Sequence, residues 1–192
     1  ANLAALKKID IARLDPNDQL SWRLFEYQLD DSIAAAAYPD DAQGLITQLW
    51  GPQLAGDEMR GQHFDNAKGY EGLIRKLNVT GDYLAAFTQR LQQAMAKGIT
   101  QPRVVMERVP DEIKANIAKD PTQSPFYAPF KKLPESIPAA EQAKLQSEAR
   151  DAFSKSVNPA YEKFLAFFKN DYLPHARTTA SVSSLPGGKD YY

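Results

Sequence analysis

The chain has 192 residues, 43% of them apolar and 24% charged, with a formal net charge of −1. This length and apolar share suit one folded core, and the near-neutral charge argues against nucleic-acid binding through a basic face. Cysteine is absent, which excludes disulfides, thiolate metal sites and a thiol nucleophile, and no apolar stretch approaches the roughly 18 residues of a membrane span.

Apolar spacing predicts helices nearly throughout. Residues 1–14 read as a short helix with Leu3, Leu6 and Ile9 inward. Asp15-Pro16 is a start signal, a capping carboxylate followed by proline in the first turn. The helix predicted over residues 16–37 carries two stripes. Leu20, Leu24 and Tyr27 lie on one side; Trp22, Phe25, Leu29 and Ile33 lie opposite. A helix apolar on two sides is expected to be packed on two sides, which places it near the domain centre.

Residues 38–65 hold Pro39, Gly44, Gly51, Pro52, Gly56 and Gly61 and read as a long loop, with helical pieces around 45–50. Residues 66–77 return to a helical stripe of Tyr70, Leu73, Ile74 and Leu77. Residues 80–97 form the cleanest predicted helix, with Tyr83, Leu84, Phe87, Leu91, Ala94 and Met95 on one face and Gly98 at its stop. Asn78-Val79-Thr80, formally a glycosylation sequon, reads as the cap of that helix. Over residues 102–118 the apolar phase persists through Pro110, which predicts one kinked helix.

Residues 120–138 contain five prolines, Pro121, Pro125, Pro129, Pro134 and Pro138, and read as an extended, aromatic-studded connector. Helices follow over 138–157 and 159–173, joined into one bent at Pro159. No segment alternates with period two and no internal repeat is visible. The expectation is an all-α fold: a single irregular multi-helix domain over 1–192, with about six to eight helices and long Pro/Gly-rich loops.

Few residues suggest chemistry. His63 and His175 are far apart and form no His-Glu-x-x-His pair, so each reads as a surface or hydrogen-bonding histidine. Asp30-Asp31, Asp40-Asp41, Asp57-Glu58 and Asp111-Glu112 are adjacent pairs; neighbours on a helix diverge by about 100°, which makes no catalytic dyad. No nucleophile elbow and no phosphate-binding glycine loop is present. Ser124-Pro125-Phe126-Tyr127-Ala128-Pro129-Phe130 reads as a connector stapled to the core or, alternatively, as a peptide-docking surface. Leu49-Trp50-Gly51-Pro52 has the same two readings. The end, Leu185-Pro186-Gly187-Gly188-Lys189-Asp190-Tyr191-Tyr192, is the most suggestive. Two glycines allow positive φ and close backbone approach, and the tyrosine hydroxyls can donate to a carbonyl or carboxylate. A plain turn is the competing reading. Two terminal rings with nothing after them to pack against read as a chain cut in mid-motif, its chemistry expected downstream.

Four stretches, in order, resemble the amino-terminal part of the bacterial domain-of-unknown-function 885 family: Leu20-Ser21-Trp22-Arg23-Leu24-Phe25-Glu26-Tyr27, Gly98-Ile99-Thr100-Gln101-Pro102-Arg103-Val104-Val105, the 124–130 string, and the last eight residues. The resemblance implies a largely helical protein similar to zinc metallopeptidases of the His-Glu class. It implies that zinc and its ligands belong to a later part of the polypeptide, with no cofactor and no catalytic residue in this chain. Gly187, Gly188, Tyr191 and Tyr192 would line the substrate cleft. The implied partners are the carboxy-terminal remainder of the parent and a peptide substrate, and the implied setting is an exported bacterial protein, periplasmic or lipoprotein. The leading expectation is therefore a non-catalytic helical part of a zinc-dependent peptidase or hydrolase. The competing expectation is a stand-alone binding module, its groove lined by Trp50, Phe126, Tyr127 and Phe130. A structural domain that drives dimerisation is the third.

Overall fold

A computed structural model describes residues 2–36 and 45–191, and every described element is helical apart from turns and isolated bridges. The fold is all-α. Its elements are α1 (Asn2–Leu6), α2 (Pro16–Ala35), α3 (Ala55–Arg60), α4 (Ala67–Asn78), α5 (Thr80–Ala96), α6 (Arg103–Met106), α7 (Val109–Lys114), α8 (Ala139–Ala152), α9 (Asn158–Phe167), α10 (Leu173–His175) and α11 (Gly188–Tyr191).

The organising element is the run from α8 to α10. Two wide π-helical segments, Phe153–Val157 and Phe168–Tyr172, splice α8, α9 and α10 into one helix. Each segment is followed at the same offset by a proline, Pro159 and Pro174. A proline lacks the N–H its turn would use, and its ring collides with the carbonyl four residues back. The wide turn lets the preceding N–H reach five residues back instead, Asn158 to the Phe153 carbonyl and Leu173 to the Phe168 carbonyl. The helix passes both prolines without ending, so the two helices predicted on either side of Pro159 are joined into one.

The face of this run buries Leu145, Ala149, Phe153, Tyr161, Phe164 and Phe168. Phe164 sits at a hub, with ring centroids 6.0 Å from Phe87, 6.5 Å from Phe167 and 6.2 Å from Phe168. Helix α5 packs on α9 and α4 on α8. Their buried faces are Tyr70, Leu73, Ile74 and Leu77 on α4, as the periodicity predicts, and Leu84, Phe87, Leu91 and Ala94 on α5, where Met95 is half-buried and Tyr83, predicted on the same face, is 54% exposed. Gly98 at φ 75° ends α5, where the Ile99 N–H reaches the Ala94 carbonyl and the Gly98 N–H the Met95 carbonyl in a Schellman pair.

Several expectations need correction. The 102–118 segment forms two helices rather than one, because Pro110 occupies the first turn of α7, the place where a missing N–H costs nothing. Residues 45–50 form a bridged turn between Thr47 and Trp50, not a helical piece. The proline-rich connector coils into 3₁₀ turns at Pro121–Gln123 and Pro125–Phe130, each capped by an acceptor side chain, Asp120 and Ser124. Thr80 caps nothing; its hydroxyl donates back to the Lys76 carbonyl at 3.2 Å, since α4 runs almost directly into α5. Only Asn2–Leu6 of the first predicted helix is α-helical, and Ile9 is exposed.

The largest correction concerns α2. Asp15 caps it as predicted, accepting from the N–H groups of Asn17 and Asp18 at 2.9 and 3.0 Å. Both apolar stripes exist, yet none of its 20 residues is buried. Leu20 and Leu24 are 58% and 55% exposed and Tyr27 is 71% exposed. Helix α1 shields part of the opposite stripe, where the Trp22 indole N–H donates to the Leu6 carbonyl at 3.1 Å. The patterning describes what α2 can bury, and among the described residues only α1 and the turn after it cover any of it.

The two kinds of surface predict contrasting substitutions. Phe164→Ala should lower unfolding free energy by about 3–5 kcal/mol, whereas Leu24→Ala should change it by less than about 0.5 kcal/mol. Urea unfolding monitored by circular dichroism distinguishes them; equal losses would contradict the burial pattern.

Candidate functional site

Past α10 the chain leaves the helix and lies across residues 99–103. Arg177 makes this junction. Its N–H donates to the Thr100 hydroxyl at 3.0 Å, its carbonyl accepts from the Arg103 N–H at 2.7 Å, and its guanidinium donates to the carbonyls of Thr100, Thr179 and Ala180. Burial pulls the Arg177 guanidinium below its ordinary pKa, while nearby Tyr172 opposes the shift. Tyr172 is pushed up by its own burial, against the Gln101 N–H that donates to its hydroxyl at 3.1 Å and the charge of Arg177. The guanidinium is satisfied by carbonyls within its own loop and at Thr100, which marks it as a clamp on the chain.

This clamp positions the terminal turn. Ser181 caps a short 3₁₀ turn, Val182–Ser184, and Leu185 is buried. Gly187 has φ 70° with open space where a Cβ would stand, so its requirement is conformational. Gly188 is different: a Cβ there would collide with the Val182 carbonyl oxygen and lie 2.9 Å from its carbon. The Gly188 N–H donates to the Leu185 carbonyl at 2.9 Å and starts α11. Both glycines thus meet local needs of the turn, one through torsion and one through contact. Tyr192 and the Tyr191 side chain lie outside the described residues, as do Asp40 and Asp41. A cleft of about 650 Å³ opens between α5 and the long helix, lined by Gly81, Asp82, Thr88, Lys155 and Lys163 over Phe164; Gly187 and Gly188 are not among its walls.

The other sequence candidates separate. Phe126, Tyr127 and Phe130 are buried, so the groove envisaged for a binding module loses three of its four residues to the core. Phe126 packs on Tyr161 with centroids 5.4 Å apart, and the Tyr127 hydroxyl accepts from Arg150 at 3.0 Å. Only Leu49 and Trp50 remain outside. His63 is exposed; His175 is exposed with Nδ1 2.6 Å from the Asp171 carbonyl, which places the proton on that nitrogen. Asp57 pairs with Arg60 at 3.2 Å on the surface.

One polar cluster was not foreseen. Gln53 and Asn116 are both 2% exposed. The Asn116 amide donates to the Gln53 carbonyl at 2.7 Å and to the Glu112 carbonyl at 3.0 Å, and the Gln53 amide donates to the Thr47 carbonyl at 2.6 Å. The Tyr161 hydroxyl donates to the Pro52 carbonyl at 2.7 Å. Gln53 Oε1 and Glu112 Oε2 are buried without a protein partner. Burial raises the Glu112 pKa, opposed by the Arg108 charge and by Gln53, and reinforced by Asp57. No period or motif marks these residues, because they satisfy the backbone of an irregular segment and not a helix face. The nearest signal is Asn116, an amide just past the end of α7 at a spacing that continues the buried row of Val109 and Ile113.

The chain belongs to a bacterial family of proteins of unknown function, DUF885, whose family model matches residues 1–192. No curated protein and no solved structure matches it.

Gly188→Ala should loosen the terminal turn, seen as faster amide exchange at Leu185 and Gly188 with the helical core unchanged; unaltered exchange would remove the contact argument. For Glu112 the sign follows from its raised pKa. The folded state disfavours the ionised form, so the group costs stability at neutral pH and nothing once protonated in both states. Glu112→Gln should therefore raise the melting temperature at about pH 7 and leave it unchanged near pH 3. A gain confined to acid would reverse the assignment.

Proposed function

We propose that this chain is the non-catalytic helical part of a zinc-dependent peptidase or related hydrolase, forming one wall of a substrate cleft completed by another part of the same polypeptide. The observation that carries the reading is α2. A helix of 20 residues with apolar stripes on two sides and no buried residue is built to be covered. The outer stripe of Leu20, Leu24 and Tyr27 is the face offered to the covering part.

On this reading the ion that activates water for attack on a peptide carbonyl is held by the covering part. No group of three His, Asp or Glu side chains converges among the described residues, so no step through a metal is assigned to this chain. Its own contribution is positional. The Arg177 clamp holds the start of the segment that leads to the turn at Gly187 and Gly188, and on this reading Tyr191 and Tyr192, which follow that turn in sequence, would face the substrate. Their hydroxyls would hold the substrate backbone or donate to the developing oxyanion. An exported bacterial setting accompanies the proposal.

The test compares residues 1–192 with the whole product of the native gene. The whole product should bind zinc stoichiometrically and cleave peptides, and residues 1–192 should do neither. Tyr191→Phe with Tyr192→Phe in the whole product should lower kcat by at least about tenfold with the fold retained. Tight zinc binding by residues 1–192, or a native gene product that ends at Tyr192 and cleaves nothing, would overturn the proposal. Unchanged turnover in the double variant would make the tyrosines structural.

A further inference from the structure

Counting donors around Gln53 leaves one proton to be placed. The Gln53 side chain is buried beside the Thr47–Trp50 turn. Its amide nitrogen carries two hydrogens. One reaches the Thr47 carbonyl at 2.6 Å and the other the Trp50 carbonyl at 3.3 Å. Carbonyls only accept, so these two contacts decide which end of the amide faces the turn. The other end, Oε1, is buried and has no donor among the described residues.

The Glu112 carboxyl lies against the same side chain. Its Oε2 is also buried and also lacks a donor among the described residues. The Gln53 nitrogen cannot fully serve it, because both hydrogens are committed to the turn. Nor does the other amide of the cluster: Asn116 gives its hydrogens to the main-chain carbonyls of Gln53 and Glu112 at 2.7 and 3.0 Å. Ionised Glu112 therefore adds a second unsatisfied acceptor to the first, at buried positions where each costs stability. A protonated carboxyl carries one O–H, and Gln53 Oε1 is the acceptor in need of it.

We infer that Glu112 and Gln53 form a proton site: the acid form of Glu112 donates from Oε2 to Gln53 Oε1, and ionisation removes that bond and loosens the Thr47–Trp50 turn. Gln53 is the link, because the amide that accepts at one end holds both turn carbonyls with the other. Around the carboxyl, the Arg108 charge and the positive end of the Gln53 amide favour ionisation, and Asp57 on α3 opposes it. Asp57 is itself paired with Arg60 at 3.2 Å. From α9 the titratable neighbour is Tyr161, whose phenol is kept protonated by burial while it donates to the Pro52 carbonyl. Burial of the Glu112 carboxyl prevails and lifts its pKa. The bond is thus fully present below the ordinary carboxylate pKa and is lost as pH rises through the raised one. The inference does not rest on the functional reading.

Amide exchange of the full chain, read by NMR at Thr47 and Leu54, tests the site. Their N–H groups bond to the Trp50 and Gly51 carbonyls at 2.8 and 3.2 Å and report the hold on the turn. After correction for intrinsic exchange, protection should fall at least about fivefold between about pH 4 and about pH 7.5. Glu112→Gln keeps an N–H for Gln53 Oε1 and should retain the high protection at both pH values. Glu112→Ala removes the donor and should show the low protection at both. Protection independent of pH in the unaltered chain overturns the inference, and is the result expected if a water donates to both oxygens in either state. Dependence that persists in Glu112→Gln overturns it as well, by moving the proton to another group. So does equal protection in Glu112→Ala and Glu112→Gln, since relief of a buried charge would then suffice without a donor.

Discussion

The aromatic face of the long helix from α8 to α10 is the constraint on which the other elements depend. Phe164 touches three rings across two elements, and α4, α5 and α7 all take their places against this one rod. A rod serves only if it stays continuous, and this one contains Pro159 and Pro174. The two π segments keep it whole. They also shift the rows that follow them, so that Tyr161 and Phe164 beyond the first, like Phe168 and Tyr172 across the second, remain buried. Proline therefore sets the phase of the aromatic face instead of breaking it. The terminal turn follows from this geometry, because Tyr172 and Arg177 at the end of the rod hold residues 99–103 and launch the last segment.

The irregular segment from Leu45 to Arg60 is bound to the rod by different means. It offers few hydrophobic rows, and its backbone groups still need partners once buried. Tyr161, Asn116 and Gln53 supply them, at the Pro52, Gln53 and Thr47 carbonyls. Close approach also needs Gly56, where a Cβ would meet Asn116 Oδ1 and stand 2.7 Å from Pro125 Cγ. The same network leaves two buried oxygens, Gln53 Oε1 and Glu112 Oε2, without donors from the protein. Its shape is therefore dictated by polar satisfaction at a few atoms, and an exposed Trp50 on a hydrogen-bonded turn is its by-product on the outer side.

Sequence periodicity reads burial well where a helix has one apolar face and a neighbour with a matching face. That condition holds for α4, α5 and the long helix, whose buried rows were largely legible, although Tyr83, at the edge of the predicted α5 face, is exposed. It fails in three ways elsewhere. Through Pro110 the apolar phase persists across a real break, because helix phase survives when a short turn restores it. In the 124–130 string, burial of the rings was legible, but their coiling into 3₁₀ turns was not, since proline spacing permits both forms. The polar cluster around Gln53 was invisible because its logic is the pairing of individual donors and acceptors far apart in the chain. Of the candidate site, the need for glycine at 187 and 188 was legible. The reason at 188, contact with the Val182 carbonyl, requires the fold.

Helix α2 separates what a pattern can bury from what a structure does bury. An isolated helix of this length is marginal in water, and tertiary packing supplies most helical stability in proteins. Here α1 and the residue after it give the Trp22 contact with the Leu6 carbonyl and an exposed Lys7–Glu26 ion pair at 3.7 Å, and Asp15 gives a good cap. The opposite end is unfavourable: the last turn has no basic residue, and Asp30 and Asp31 stand near the negative pole of the helix dipole. Capping and propensity at one end offset electrostatic cost at the other, leaving the two apolar stripes as the remaining source of stability. That source is realised only by contact. A surface that stays costly until it is covered couples the order of α2 to the arrival of whatever covers it. The inner stripe, partly shielded by α1, and the outer stripe, with Leu20, Leu24 and Tyr27, can therefore be satisfied separately, and each contact would firm the helix that carries the other.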